Sequence, residues 1–143
     1  MTVLFDASVL VPALVDQLAN HPTCFSTFAT FSSGKHTAVC ASHALTEVYS
    51  VLTALPLPRR ISPLEARRII EESILGRLGV IELDVEDYRW AVTAVSDSGL
   101  TSGIVYDGLH LAAARKAGCS RIYTYNVRRF RRIAPPEVEI SAP

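Results

Sequence analysis

Asp6, Glu47 and Asp107 are carboxylates set in apolar surroundings, a residue type and placement that suit a site built to gather negative charge. Asp6 follows Val3-Leu4-Phe5 and opens Ala7-Ser8-Val9-Leu10-Val11. Glu47 lies between Ala44 and Leu52, and Asp107 between Ile104-Val105-Tyr106 and Gly108-Leu109-His110-Leu111. An unpaired buried carboxylate costs on the order of several kcal/mol, so segments this apolar normally exclude one. If the three converge, a hard divalent cation is the simplest device for holding their charges together. Mg2+ and Mn2+ take oxygen ligands and keep several waters, leaving room for a water and a phosphate oxygen. Phosphodiester hydrolysis follows from such an arrangement. Without the ion the carboxylates repel, and at least one pKa should rise.

The elements that must position them are readable from pattern. Thr2–Phe5 reads as a buried strand, followed by a helix over roughly Ser8–Leu18 that tolerates Pro12 only in its first turn. A second helix covers Thr23–Phe31, Thr37–Ala41 is a strand, and Ser42 caps a helix running to about Leu55. Ser62-Pro63-Leu64-Glu65 carries a capping box, ahead of a helix closed by Gly76 and Gly79. Val80–Leu83 is a strand, and Asp84 with Asp87 starts a helix to about Ser96. Asp107 caps an Ala-rich helix that Gly118 closes. Arg121–Tyr125 and Val138–Ile140 are strands flanking a turn or short helix over Asn126–Arg132. Strands alternating with helices indicate an α/β fold, with a mainly parallel sheet covered on both faces. Ligands in such folds bind beyond the carboxyl ends of the strands.

Each candidate also has a plain structural reading. Asp6 and Asp107 could be helix caps, and Asn126 an ordinary turn residue. Glu47 has the weaker alternative, since Ala44, Val48 and Val51 at helical spacing place it on an apolar face. His110 follows Asp107 by three residues; it could serve as a general acid, or pack beneath the site or bond to Asp107.

Composition narrows the function classes. The chain has 143 residues, enough for one domain, here 1–143, that buries roughly 70% of its unfolded surface. No segment reads as a membrane span or a signal peptide, so a cytoplasmic protein without membrane contact is expected. Cys24, Cys40 and Cys119 form no Cys-x-x-Cys and read as small buried hydrophobes. Net charge is zero but uneven: residues 1–106 carry seven Lys/Arg and eleven Asp/Glu, residues 107–143 seven and three. The basic end holds Arg128, Arg129, Arg131 and Arg132 around Phe130, either a solvated face or a set of phosphate contacts.

Taken in order, four segments resemble one family. They are Val3-Leu4-Phe5-Asp6-Ala7-Ser8-Val9-Leu10, the helix bearing Glu47, Tyr106-Asp107-Gly108-Leu109-His110-Leu111, and Ile122-Tyr123-Thr124-Tyr125-Asn126-Val127-Arg128-Arg129-Phe130. In their order and spacing the chain resembles the PIN-domain ribonucleases, and among them the VapC-type toxins of bacterial toxin–antitoxin pairs. That resemblance implies a three-layer α/β/α sandwich with a central, mainly parallel sheet. It implies Asp6, Glu47 and Asp107 as the ligands of Mg2+ or Mn2+, with Asn126 where many relatives carry a fourth Asp, so that one ion is expected. Ser8 and Thr124 match hydroxyls that flank the site in relatives. RNA is the implied substrate, a cognate antitoxin the implied partner and a homodimer the implied assembly. Phe25, Phe28, Phe31, Ile69 and Ile70 are apolar residues that could form a partner face or fill the core.

Two other readings use the same residues. A haloacid-dehalogenase-like phosphatase would also begin with a strand-end Asp, but wants a second Asp where Ser8 stands and a lysine that Lys116 supplies poorly from within a helix. A non-catalytic domain that only binds RNA or a partner protein would keep the fold and lose turnover.

Overall fold

Val3, Leu4 and Phe5 are completely buried, as a central strand of a parallel sheet requires, because helices cover both of its faces. The computed structural model describes all residues, Met1–Pro143. Five strands, β1 (Thr2–Phe5), β2 (Thr37–Ala41), β3 (Gly79–Ile81), β4 (Arg121–Tyr123) and β5 (Glu139–Ser141), lie in the order β3-β2-β1-β4-β5. Every pairing is parallel, with Thr2 opposite Thr37 and Phe5 opposite Tyr123.

The period of two along each strand sorts side chains into two cores. Val3, Phe5, Ala38, Cys40 and Tyr123 face one layer, which contains α1 (Ala7–Leu14), α2 (His21–Ser32), α3 (Ala44–Ala54) and α4 (Pro63–Ile69). Leu4, Val39, Ala41 and Ile122 face the other, built on α6 (Ile104–Lys116) and α7 (Val127–Arg131), with α5 (Val85–Asp97) packed along α6. The result is the expected α/β/α sandwich around a mainly parallel sheet. Phe5, Phe28 and Tyr123 pack ring against ring in the first core, and Phe31 packs on Tyr123. Phe28 is therefore core rather than surface; Phe31, Ile69 and Ile70 are half-buried against the same core, and Phe25 alone of that group is well exposed.

Local signals were read correctly where hydrogen bonds are local. Both capping boxes form: Ser62 with Glu65 starts α4, and Asp84 with Asp87 starts α5. Gly118, at φ 65°, follows the last residues of α6 in the left-handed conformation that favours glycine. Several expectations need correction. Strand β4 ends at Tyr123 rather than Tyr125, which leaves Thr124 as the first residue beyond it. Helix α1 stops at Leu14 rather than Leu18, with Pro12 in its second turn, where the missing N–H shortens the ladder. Ser42 does not cap α3: its Oγ accepts from Leu83 N at 3.2 Å, tying β2 to the segment after β3. Helix α4 passes without a break into a π-helical turn, Ile70–Leu75, before Gly76.

Gly108 sets the distance between α5 and α6. A Cβ there would stand 3.3 Å from Ala91 Cβ and 3.4 Å from Val95 Cγ2, tighter than ordinary side-chain contact. That close approach fixes the rotation of α6 beside Asp107. Cys24, Cys40 and Cys119 are free and buried, as expected, and burial pushes the Cys40 thiol up to about 12 and that of Cys119 to about 11. No helix is long and apolar enough to cross a membrane.

Candidate metal centre

The parallel pairing of Phe5 with Tyr123 brings the next residues of each strand, Asp6 and Thr124, side by side at the carboxyl edge of the sheet. Asp6 occupies the N-cap position of α1, yet its side chain makes no capping bond. Its Oδ1 accepts from Ser8 Oγ and its Oδ2 from Thr124 Oγ1, both at 2.6 Å. The two hydroxyls are held in turn: Ser8 Oγ accepts from Tyr125 N and Thr124 Oγ1 from Asn126 N, each at 2.9 Å. Ser8 and Thr124 thus flank Asp6. Asn126 contributes its backbone to this clip, while its exposed side chain makes no capping bond to α7.

Asp107 is not a cap. Helix α6 starts three residues earlier, after Gly103, which puts Asp107 one turn inside it and buried. Arg129 Nε, from α7, lies 2.9 Å from Asp107 Oδ2 as an ion pair. The two are poorly aligned for a hydrogen bond, so Asp107 Oδ2 is held chiefly by the charge of Arg129.

Glu47 projects from the first turn of α3 and is partly exposed. Its Oε1 accepts from His110 Nε2 at 3.0 Å and lies 2.8 Å from His43 Nε2. His110 is therefore bonded to Glu47 and not to Asp107. His43, missed at the level of sequence, stands one helical turn before Glu47; a histidine and a glutamate at i and i+4 were the available signal. The donor atoms of His43, Glu47 and His110 all lie within 4.8 Å of one another, so a cluster able to coordinate a metal is present.

The carboxylates share one electrostatic field. Burial raises the Asp6 pKa, opposed by the His110 charge and by the two hydroxyls, and the Glu47 charge adds to the rise. Burial likewise raises Asp107, opposed by Arg129 and His110 and reinforced by Asp6. Burial also acts upward on Glu47, but the His110 and His43 imidazoles outweigh it and hold this carboxyl down to about 2. Two buried carboxylates, Asp6 pushed up further by the Glu47 charge and Asp107 by that of Asp6, are chemically suited to a hard divalent ion. The donor set fits.

Among the arginines, Arg129 alone touches this centre. Arg131 Nη2 donates to Ile140 O at 3.3 Å, Arg128 is exposed, and Arg132 joins Arg129 in lining an open cleft of about 540 Å³ beside Gly99–Ile104.

Comparison with known proteins matches residues 3–135 to the model of the PIN domain. Ribonuclease VapC40 of Mycobacterium tuberculosis is 32% identical over 109 residues, which cover 71% of this chain and 79% of that protein. Ribonuclease VapC27 of the same organism is 33% identical over 109 residues, covering 76% and 74%. Among solved structures, DNA-bound VapBC from Salmonella typhimurium superposes with a TM-score of 0.71 at 19% identity, covering 99% of this chain and 98% of that one. VapBC2 from Rickettsia felis, bound to a promoter DNA fragment, gives 0.69 at 18% identity, covering 100% and 99%.

Proposed function

The chain belongs to the PIN-domain family, among its VapC-like ribonuclease toxins, and on that premise we propose that it is a Mg2+- or Mn2+-dependent endoribonuclease, the toxin of a toxin–antitoxin pair. The observation that carries the metal dependence is a pair of buried carboxylates, Asp6 and Asp107, both raised by burial, with Asp107 Oδ2 already set against a cation, the Arg129 guanidinium. Asp6, Glu47 and Asp107 would hold the ion. When bound, a hard divalent ion supplies an activated water near neutral pH and offsets charge on the phosphoryl oxygens.

The chain's own residues do the positioning. Ser8 and Thr124 saturate one side of each Asp6 oxygen, which fixes the carboxylate plane and leaves the remaining lone pairs for a ligand. His110 and His43 keep Glu47 ionised across the working pH range. Arg129 is paired with Asp107, and were an ion to take that carboxylate, the guanidinium would be free to bind a phosphate oxygen. Arg128, Arg131 and Arg132 extend positive charge along α7 for the RNA backbone.

Support for a protein partner comes from relatives: a toxin–antitoxin complex from Klebsiella pneumoniae superposes with a TM-score of 0.62. The surface that suits an apolar antitoxin segment is a groove of about 440 Å³ between α3 and α4, lined by Tyr49, Leu64, Ile70 and Leu75 with Arg67 beside them. A homodimer belongs to the same proposal. The phosphatase alternative loses its lysine, because Lys116 Nζ donates to Asp87 and to the Glu82 carbonyl, both at 2.8 Å.

The test is RNA cleavage by the purified chain with Mg2+ or Mn2+, with chelation, and with Asp6→Ala, Glu47→Gln and Asp107→Asn. Chelation and each substitution should abolish most of the activity. Robust cleavage by a folded variant would remove the assignment, and no cleavage by the wild type would return the chain to a binding role. Arrest of cells by the chain alone, relieved by a short neighbouring gene product, tests the toxin half.

A further inference from the structure

We propose that His43, Glu47 and His110 form a second cation site, for a borderline transition-metal ion of the Zn2+ class, beside the carboxylate centre. Binding there stands apart from the nuclease reading. Its consequence, competition for the shared Glu47, rests on that reading.

The donor set is what separates the two sites. Imidazole nitrogen is a poor match for Mg2+ and a good one for Zn2+, Co2+ and Ni2+, so two histidines and one carboxylate select against the hard ion. The geometry is already gathered. Both Nε2 atoms face Glu47 Oε1, at 2.8 Å from His43 and 3.0 Å from His110. Bonds of about 2.0–2.1 Å from a tetrahedral Zn2+ place its ligands about 3.3 Å apart, so the two contacts to Glu47 need lengthen by only a few tenths of an ångström. All three donor atoms already lie within 4.8 Å of one another. Three protein ligands leave a further position open, as in mononuclear sites that also bind a water or a substrate group.

Two more observations point to a ligand. His43 Nε2 stands 2.8 Å from Glu47 Oε1 but is poorly aligned to donate to it, so the contact is close without being a well-formed hydrogen bond. The rings are also preorganised: the centroids of His43 and His110 are 4.2 Å apart, and Phe130 packs behind His110 at 6.0 Å. His110 is only 3% exposed, with Phe130 packed against it. Two ligands sit one turn apart at the start of α3 and the third sits on α6, so rigid elements supply all three.

The probe is Co2+, a spectroscopic substitute for Zn2+, added to the tag-free full-length protein. About one equivalent should bind with visible absorption stronger than that of the hydrated ion. The wild-type spectrum should show two hyperfine-shifted imidazole N–H resonances, a readout that needs no substitution. Zn2+ should displace Co2+, and millimolar Mg2+ should not. His43→Ala, at a partly exposed position, should weaken Zn2+ binding by at least about tenfold, and Asp107→Asn should leave the Co2+ spectrum in place. A spectrum like that of the hydrated ion, or one unchanged in His43→Ala, would overturn the site. Loss of the spectrum in Asp107→Asn would overturn it too, by placing the probe among the carboxylates. RNA cleavage in Mg2+, run in parallel, separates the two ideas. Absent cleavage with intact Co2+ binding removes the nuclease reading alone, and cleavage without histidine ligation removes this site alone.

Discussion

Arg129 Nε stands 2.9 Å from Asp107 Oδ2, so the chain carries its own cation against a carboxylate of the candidate centre. The pair is half exposed on the arginine side, and such pairs contribute roughly 0.2–1 kcal/mol. Arg129→Gln should therefore tighten Mn2+ binding by about two- to fivefold, measured by titration calorimetry or by the loss of the free Mn2+ resonance signal. The same change should weaken RNA binding and lower its log–log salt slope by about one unit or less. Weaker Mn2+ binding in the variant would show that the arginine supports the ion rather than competing with it.

Asp6 and Asp107 predict a stability that increases on mild acidification. Burial raises both pKa values above the ordinary 3.8 of the unfolded chain, so the folded state binds these protons more readily. Stability should then rise as pH falls from neutral through the raised values, and level off below about 3.8. In chelator at pH 7, Asp6→Asn should melt at or above the wild-type temperature, and Mg2+ should stabilise the wild type more than the variant. A clear destabilisation by Asp6→Asn would show that the Ser8 and Thr124 bonds outweigh the burial of charge.

Glu47 carries the opposite sign. Its folded pKa of about 2 lies below the ordinary 4.5, so its contribution is complete above pH 4.5 and is lost as pH falls toward 2. Carbon-detected titration of the Glu47 carboxyl should give a midpoint near 2 in the wild type. In His110→Asn the midpoint should move up toward 4.5, because the imidazole that favours the ionised form is gone. An unmoved midpoint would assign the effect to His43.

Gly108 predicts a packing defect next to the site. Gly108→Val places branched carbons against Ala91 and Val95, where even a Cβ is tight. Overpacking of this kind costs about 1–3 kcal/mol, readable in denaturant unfolding. Cleavage should fall more than stability alone explains, because α6 carries both Asp107 and His110.

Much of the architecture was legible because its causes are local. The apolar run at Val3–Phe5, the boxes at Ser62/Glu65 and Asp84/Asp87, and Gly118 after α6 each depend on a few neighbouring residues. The strand-end position of Asp6 was legible, but the pattern carries the fourth strand to Tyr125 and puts Asn126 just beyond it, whereas β4 ends at Tyr123 and Thr124 stands beside Asp6. Reading Asp107 as a cap failed for the complementary reason. Ser98–Gly103 looked like loop up to the acid, whereas Gly103 takes the N-cap position and the helix begins at Ile104, which buries in the core.

The partners of the ionisable groups belong to tertiary structure alone. His110 meets Glu47 across 63 positions of sequence, and Arg129 meets Asp107 from a different helix. Nothing in the types or spacing of these residues distinguishes a histidine bonded to its neighbour Asp107 from one bonded to Glu47. Sequence determined which residues can carry charge into the interior, because apolar periodicity marks the faces that turn inward. The rotation of α6 against α5 at Gly108, and of α3 over β2, decided which of those charges share one space. Coulomb energies and hydrogen bonds depend on separations of a few ångströms, and only the packed chain sets them.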